Sequence, residues 1–194
     1  GGNTSAASGG SNPGRALGAG LFLHQTAGLT FQLAAGSTYT LADAIDGDLA
    51  NGNTPDAANT ASQTTDGGLT LAAANAGTLV LQGAHSYNGP TLVNGGTLQL
   101  DGVLQAGSGT GALPSAMTVA QGAALAGSGV AGAVTVQAGG LVRPGAAAGD
   151  MKTLAAQALV IAGTAQFDLA PAATQTSDTL TASTVALGSG ATLA

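Results

Sequence analysis

The sequence predicts an all-β protein whose strands wind into a parallel β-helix of roughly eight coils. Three observations support this prediction. Short segments that alternate apolar and polar residues recur after glycines, their spacing suits one coil, and no window keeps a helical pattern over a dozen residues. Alternation with a period of two residues is typical of a strand with one buried face.

The clearest copies of the alternating segment are GLTFQL at 28–33, GLTL at 68–71, GTLVL at 77–81 and GTLQL at 96–100. Less regular copies follow at 122–125, 132–136, 140–142, 163–169, 184–187 and 190–193. Antiparallel sandwiches and barrels also use short strands, but two of the clear copies start only 19 residues apart (96 minus 77). A coil of about 20 to 25 residues lies about 4.8 Å from its neighbour, so eight coils would span about 40 Å. The spacing therefore favours the solenoid.

Inward residues of successive coils should stack in ladders, with Leu upon Leu and Val upon Val, while glycine supplies corners that need positive φ. Right-handed winding is expected from the chirality of parallel crossovers. The one plausible helix is the Ala-rich stretch 146–158, which Gly149 weakens. The predicted core comprises Leu79, Leu81, Leu98, Leu100, Val134, Val136, Leu159, Ile161, Phe167 and Leu169.

The chain divides into a short leading segment and one long repetitive unit. Residues 1–14 are rich in Gly and Ser, as in a flexible loop or the start of an excised fragment. Residues 15–194 form the predicted β-helix. A polar stretch rich in Asn and Asp at 46–66 is predicted to be an excursion from the coil, and 107–115 a shorter one.

Composition excludes several classes of partner and site. The chain has three Lys plus Arg against nine Asp plus Glu, and a formal net charge of −6. It therefore lacks the cationic cluster that binding to nucleic acid or to an anionic membrane requires. No apolar run approaches the roughly 20 residues of a membrane helix, so we expect no insertion into a membrane. Without cysteine, the chain has no disulfide framework and no thiolate chemistry.

The stretch 77–100 (GTLVLQGAHSYNGPTLVNGGTLQL) resembles the β-strand repeat of bacterial autotransporter passengers, in which a turn separates Gly-Thr-Leu strands. The HSYNG turn departs from the usual pattern by substitution, and Pro90 lies where Gly or Thr is more common. Residues 127–145 are similar to the stretch that follows this repeat, and 36–47 to the stretch that often precedes it. Residues 177–187 resemble sequence found shortly before the membrane barrel.

The resemblance implies a right-handed, pectin-lyase-like solenoid that is exported by type V secretion. The partner it implies is the protein's own outer-membrane translocator barrel, and the location is the bacterial surface or the medium. Under this interpretation the segment is a non-catalytic stalk or scaffold that serves passenger folding during export, and adhesion or host interaction. A host surface or another passenger is the further partner we expect.

Candidate site residues were weighed one by one, and none predicts a catalytic, cofactor-binding or metal site. His85 and Ser86 lack a nucleophile elbow, and a turn role is favoured for both. His24 is expected at a coil surface or corner, because only one other histidine could share a metal with it. Packing over the neighbouring coil's corner is favoured over ligand binding for Tyr87.

The carboxylates Asp43, Asp46, Asp48, Asp56 and Asp66 provide the hard oxygens that Ca²⁺ prefers, but their spacing matches no known calcium loop. We expect a solvated acidic loop with weak Ca²⁺ binding at most.

Two functional alternatives stay open. The segment could be a self-associating adhesin module, because unpaired strand edges at the ends of a β-helix favour end-to-end contact. It could also be a polysaccharide-cleaving β-helix enzyme. That alternative is disfavoured because Arg15, Arg143 and Lys152 are far apart in sequence, and because Tyr39, Tyr87, Phe22, Phe31 and Phe167 fall mostly on strand or turn positions.

Overall fold

The computed structural model describes residues 20–23, 27–47, 67–104, 115–169 and 177–194. Every regular element in these residues is a β-strand. The strands, numbered in chain order, are β1 (Leu21–Leu23), β2 (Leu29–Phe31), β3 (Thr38–Leu41), β4 (Ile45–Gly47), β5 (Leu69–Leu71), β6 (Thr78–Leu81), β7 (Ala84–His85), β8 (Thr91–Val93), β9 (Thr97–Leu100), β10 (Val103–Leu104), β11 (Met117–Val119), β12 (Ala124–Ala126), β13 (Val130–Val136), β14 (Leu141–Val142), β15 (Thr153–Ile161), β16 (Thr164–Ala165), β17 (Thr179–Leu187) and β18 (Thr192–Leu193).

These strands form a parallel β-helix with three faces, which confirms the predicted fold. Face A contains β1, β4, β7, β10 and the first residues of β13, β15 and β17. Face B contains β2, β5, β8, β11 and the last residues of the same three long strands. Face C contains β3, β6, β9, β12, β14, β16 and β18. All pairs between these strands are parallel. Right-handed winding stays a prediction.

The described residues visit faces A, B and C in that order seven times, where the sequence predicted roughly eight coils. Coils 1 to 4 each use three strands, namely β1–β3, β4–β6, β7–β9 and β10–β12. Coils 5 to 7 each use two, namely β13–β14, β15–β16 and β17–β18, because one long strand covers both face A and face B. In the described residues, no helix has the length and apolarity needed to cross a membrane.

In-register ladders of aliphatic side chains form the core. On face C, Leu79 pairs with Leu98 and Leu81 with Leu100, and all four are fully buried. Burying an aliphatic side chain of this size stabilises the fold by about 1.5–3 kcal/mol. The eight predicted core residues from Leu79 to Ile161 are all buried, which confirms the predicted inward register.

The last two predicted core residues behave differently. Phe167 is only partly buried against the core, and Leu169 is 78% exposed. Strand β16 ends at Ala165, and beyond it the chain leaves face C. Leu169 instead forms an isolated antiparallel bridge with Ser177. The prediction for Leu169 was therefore wrong, because the alternating pattern continues in the sequence after the strand has ended.

The predicted helix at 146–158 is also wrong. Residues 153–158 belong to β15, where Ala156 and Ala158 pair with Ala131 and Ala133 of the preceding coil. Gly149 has a φ of 84°, which a right-handed helix does not allow. Pairing with two flanking strands overrides the helical preference of alanine at these positions.

Glycine supplies the corner between faces B and C, as the sequence predicted. Eight glycines in the described residues have positive φ. Five of them lie between a face B strand and the following face C strand, namely Gly36, Gly96, Gly122, Gly139 and Gly190. An L side chain is strained in this conformation, so glycine fixes this corner in five of the seven described coils, namely coils 1, 3, 4, 5 and 7.

Several predicted segments lie wholly or partly outside the described residues. The leading segment 1–14 is one of them, as is 48–66, most of the predicted polar excursion. The first two residues of that excursion, Asp46 and Gly47, are strand residues of β4. Most of the second predicted excursion, residues 107–114, also lies outside. Its last residue, Ser115, is buried.

Replacing Leu98 with alanine should lower the free energy of unfolding by about 2–5 kcal/mol, because it opens a cavity between Leu79 and Leu125. Thr97→Ala is the matched control. Thr97 is the adjacent, half-buried residue of β9, and we expect a change within about 0.5 kcal/mol. Urea unfolding of the chain followed by circular dichroism measures both, and equal effects would contradict the assigned register.

Candidate functional site

The most unusual region of the molecule is a group of polar side chains buried between coils 1 and 4. Its members are Asn75, His85, Tyr87, Thr91 and Ser115, and we call it the buried polar group. Burying such a side chain costs free energy unless it forms hydrogen bonds. The partners of each member therefore show what this region does.

Asn75 links three coils. Its Oδ1 accepts a hydrogen bond from the backbone N–H of Leu33 in coil 1, at 2.6 Å. Its Nδ2 donates to the carbonyls of Gly77 at 3.0 Å and Gly95 at 3.2 Å. Gly96 makes this possible, because a Cβ at that position would collide with Nδ2 of Asn75. The side chain thus satisfies backbone groups at the corner between faces B and C.

His85 lies in strand β7 with its side chain in the core, so the predicted turn role was wrong. In the stack of face A, it lies between Ile45 of coil 2 and Leu104 of coil 4, with which it pairs. Its Nδ1 accepts the backbone N–H of Ile45 at 3.1 Å, so the neutral ring carries its proton on Nε2. Nε2 is buried and has no hydrogen-bond partner among the described residues. Burial lowers the pKa of His85, and the nearby charge of Asp46 opposes this shift.

Ser86 cannot form a nucleophile–base pair with His85. Ser86 follows the last residue of β7, and its side chain is half-buried, whereas the imidazole is buried in the core. Ser86 Oγ donates instead to Asp46 Oδ1, and the Ser86 N–H donates to the carbonyl of Ile45 at 2.9 Å. Ser86 therefore lies outside the strands, in the connection after β7, and joins coil 3 to coil 2.

Tyr87 and Thr91 start a chain of hydroxyl groups that reaches coil 4. The Tyr87 hydroxyl lies 2.8 Å from Thr91 Oγ1, which lies 3.3 Å from Ser115 Oγ. Ser115 donates to the carbonyl of Gly89 at 2.8 Å. Tyr87 is fully buried, and burial raises its pKa well above the usual range. Tyr87 is thus a packing residue. Because its hydroxyl group has hydrogen-bond partners, Thr91 can point into the core between Leu69 and Met117.

The predicted acidic loop is only partly described, and its described part gives no metal site. Asp46 lies in β4 and Asp43 precedes it, whereas Asp48, Asp56 and Asp66 lie outside the described residues. In the part of the chain that the structure describes, no group of three or more His, Cys, Asp or Glu residues could hold a metal ion. Weak Ca²⁺ binding by the loop stays a prediction.

Carboxylates at the corner between faces C and A bind backbone amides. Asp178 accepts the N–H groups of Lys152 at 2.9 Å and Asp168 at 2.8 Å. Asp150 accepts the N–H of Ala146 at 3.1 Å. That bond lowers the pKa of Asp150, with a further contribution from Lys152. These carboxylates hold the loops before β15 and β17 in place.

Neither described cation is placed to neutralise an acidic polysaccharide. Arg143 donates from Nη2 to the carbonyl of Ala146 at 2.5 Å, within its own turn. Lys152 Nζ lies 3.4 Å from Asp150 Oδ1. Arg15 and His24 lie outside the described residues.

Aromatic side chains also fail to form a sugar-binding platform in the described residues. Phe22, Phe31 and Tyr39 lie in the first three strands, as predicted, and the rings of Phe31 and Tyr39 are 5.8 Å apart. Phe31 and Tyr39 pair with Leu71 and Leu79 of coil 2, so they continue these two ladders into coil 1, where Tyr39 is 49% exposed.

Charged residues are segregated on the surface. In the described part of the chain, all of them lie on face A, on face C or at the corner between these two faces, and face B carries none. They are Asp43, Asp46, Asp101, Arg143, Asp150, Lys152, Asp168 and Asp178.

Acidification should weaken the fold through His85. Because its pKa is lower in the folded than in the unfolded state, the unfolded chain binds the proton more readily. Stability present at neutral pH is therefore lost as the pH falls below about 6.5. Protonation of Nδ1 also removes the acceptor of the Ile45 N–H.

We expect His85→Gln to flatten the slope of unfolding free energy between about pH 7 and about pH 5, as measured by urea unfolding at each pH. His24→Gln is the control for the other histidine of the sequence and should keep the slope. A variant without His85 that retains the full slope would rule out this assignment.

The hydroxyl chain should show energetic coupling. Tyr87→Phe and Thr91→Val each remove one partner of a buried hydrogen bond, and each should lower the free energy of unfolding by about 1 kcal/mol. The double variant should lose less than the sum, with a coupling of at least about 0.5 kcal/mol. Tyr39→Phe, at a half-exposed tyrosine, is the control. Strict additivity would mean that the 2.8 Å contact does not form in solution.

Comparison with known proteins identifies the region that contains most of the buried polar group. Residues 71–100 match the family model of the passenger-associated-transport-repeat. No curated protein and no solved structure matches the chain significantly. The match runs from the end of β5 to the end of β9, and it includes Asn75, His85, Tyr87 and Thr91. It confirms the resemblance drawn from residues 77–100, because this part of the β-helix matches the passenger-associated-transport-repeat.

Proposed function

We propose that the chain is a non-catalytic stalk segment of an autotransporter passenger, displayed on the bacterial surface or released from it. The family repeat at 71–100 and the parallel β-helix support this function. An autotransporter passenger is linked to a translocator domain in its full-length protein. The partner we propose is therefore the protein's own outer-membrane barrel.

The observation that carries the proposal is where the polar side chains of the repeat are directed. Asn75 binds coils 1 and 3, His85 and Ser86 bind coil 2, and Thr91 contacts Ser115 of coil 4. Each side chain satisfies a group of a neighbouring coil. The repeat is therefore built to fix the stacking of its neighbours, which is a scaffold's task.

A stack of this kind suits folding outside the membrane. Each coil buries its ladder only against the next coil, so a folded end can serve as a template for one coil after another. A ladder is buried only after its coil has left the barrel, so its burial favours the exported state of the chain. This free energy could help draw the passenger outward without ATP. The repeat would then stabilise the partly folded stack at this point, because it adds directional hydrogen bonds to nondirectional packing.

Catalysis has no support in the described geometry. Ser86 Oγ donates to Asp46, His85 Nδ1 accepts the Ile45 N–H, and the described carboxylates at the corner between faces C and A bind backbone amides. Polysaccharide cleavage is the enzymatic alternative, and incubation with acidic glycans, followed by detection of new chain ends, tests it. Adhesion to a host surface stays a prediction.

Replacing Leu98 with aspartate in the full-length protein should stall surface display, because the coil cannot close around a buried unpaired charge. Thr97→Asp adds the same charge at the neighbouring outward position and should leave display close to wild type. Protease accessibility on intact cells measures the displayed passenger, and cell fractionation locates what is retained. Undiminished display of Leu98→Asp would refute a role for coil stacking in export.

A further inference from the structure

The sheet of face A is interrupted between coils 2 and 3. Strand β4 of coil 2 pairs with β1, and β7 of coil 3 pairs with β10, but no strand pairing joins β4 to β7. Faces B and C continue across this boundary, through β5 with β8 and through β6 with β9. Every other boundary between the described coils has strand pairing on all three faces. We call the boundary between β4 and β7 the seam.

At the seam an imidazole takes the place of a backbone acceptor. In a parallel ladder, a residue whose N–H and C=O both face the neighbouring strand bonds to the residues just before and just after its partner. The Ile45 carbonyl follows this rule, because it accepts the N–H of Ser86 at 2.9 Å. The rule would give the Ile45 N–H the carbonyl of Ala84, but this N–H donates to Nδ1 of His85 at 3.1 Å. The ladder at the seam therefore depends on a side chain that can take up a proton.

The closed seam has no room for a charged imidazole. A backbone carbonyl accepts a hydrogen bond at any ordinary pH, whereas Nδ1 accepts one only while the ring is neutral. A proton on Nδ1 would point one donor at another, the N–H of Ile45. Nε2 is buried and has no partner among the described residues, so the charged ring would hold two N–H groups without an acceptor there. Uptake of a proton by His85 therefore requires the seam to open.

The other titratable side chains in and around coils 2 to 4 are all acidic. They are Asp43, Asp46, Asp101 and Tyr87 in the described residues, and Asp48, Asp56 and Asp66 in the sequence between β4 and β5, outside the described residues. The charge of Asp46, in the strand next to His85, favours a proton on the imidazole. Burial raises the pKa of Tyr87, so its hydroxyl stays neutral in mild acid. Acidic neighbours attract the proton that the closed seam excludes.

We propose that His85 makes the seam an acid-sensitive contact, which opens in mildly acidic medium while faces B and C of the same coils stay paired. Those two faces hold because β5 pairs with β8 over three residues, and β6 stacks on β9 through two pairs of buried leucines. Opening on face A alone leaves a joint at which coils 1 and 2 tilt away from coil 3. The inference goes beyond a loss of overall stability in acid, because it assigns the first loss to one contact, and it does not rest on the export role.

The size of the effect follows from the proton affinity of the open state. An open seam returns His85 to water, where an imidazole with an ordinary pKa of about 6.5 is about 90% protonated at pH about 5.5. The closed seam binds the proton less readily, so its stability is present above this pKa and is lost as the pH falls below it. Between pH about 7.5 and about 5.5, opening should therefore become about tenfold more favourable.

Amide hydrogen exchange of the purified chain, followed by NMR at these two pH values, tests the proposal. Protection is expressed relative to an unstructured chain, which removes the intrinsic pH dependence of exchange. We expect the amide of Ile45 to lose about tenfold of its protection in acid, with little dependence on low concentrations of urea, because a local opening exposes little surface. The amides of Asn94 and Asp101, which bond to coil 2 on faces B and C, should stay more protected and respond more steeply to urea. Equal protection and equal urea dependence at all three amides would overturn the proposal, because the seam would then open only with the whole stack.

Two variants of His85 separate its proton from its hydrogen bond. His85→Gln offers a carbonyl that can accept the Ile45 N–H and does not titrate, so the protection of Ile45 should be equal at both pH values. His85→Leu fills the core without an acceptor, so the seam should already be open at pH about 7.5. His24→Gln is the matched control and should keep the tenfold response. Circular dichroism confirms that each variant is folded.

The response of His85→Gln decides between the histidine and the carboxylates, since this variant keeps all nine acidic residues. A tenfold loss of protection that persists in His85→Gln would assign the response to another group and overturn the proposal. Protection of Ile45 in His85→Leu that equals the wild type at pH about 7.5 would show that the bond to Nδ1 does not hold the seam, with the same consequence.

Discussion

The structure depends on one interaction, the in-register stacking of aliphatic side chains from coil to coil. Leu79 upon Leu98 and Val119 upon Val136 are two of its units, and each is formed only when two coils are paired. Parallel pairing fixes the spacing at about 4.8 Å, so every coil must present the same kind of residue at the same register. Glycine corners, outward threonines and short strands follow from this constraint.

The buried polar group belongs to the same logic. A core that is only aliphatic specifies distance well but allows one coil to slip past another. Asn75, His85 and Thr91 bind particular backbone or hydroxyl groups of neighbouring coils, so they specify which residues face each other. This group lies between coils 1 and 4, and its repeat segment coincides with the passenger-associated-transport-repeat. Stacking specificity is thus concentrated where the family signature occurs.

Charge has a separate distribution that stacking does not require. In the described residues face B carries no charged side chain, whereas the corner between faces A and C carries carboxylates that bind loop amides. The carboxylates of that corner therefore hold its loops in place.

The sequence by itself determined the all-β class, the solenoid, the inward ladders from Leu79 to Ile161 and the passenger repeat. Each of these depends on a periodic pattern of residues that is visible within one or two coils. It misplaced Leu169, the helix at 146–158 and His85. Leu169 was misplaced because the alternating pattern continues past the end of β16. The helix was wrong because its alanines pair with the neighbouring strands against their helical preference. His85 was misplaced because its sequence resembles a turn, whereas its side chain lies in the core. Only the tertiary structure decided these positions, together with the contacts of Asn75 with Leu33 and of Thr91 with Ser115, because these partners belong to other coils, 24 to 42 positions away along the chain. Local sequence cannot specify which side chain a neighbouring coil will bring into contact.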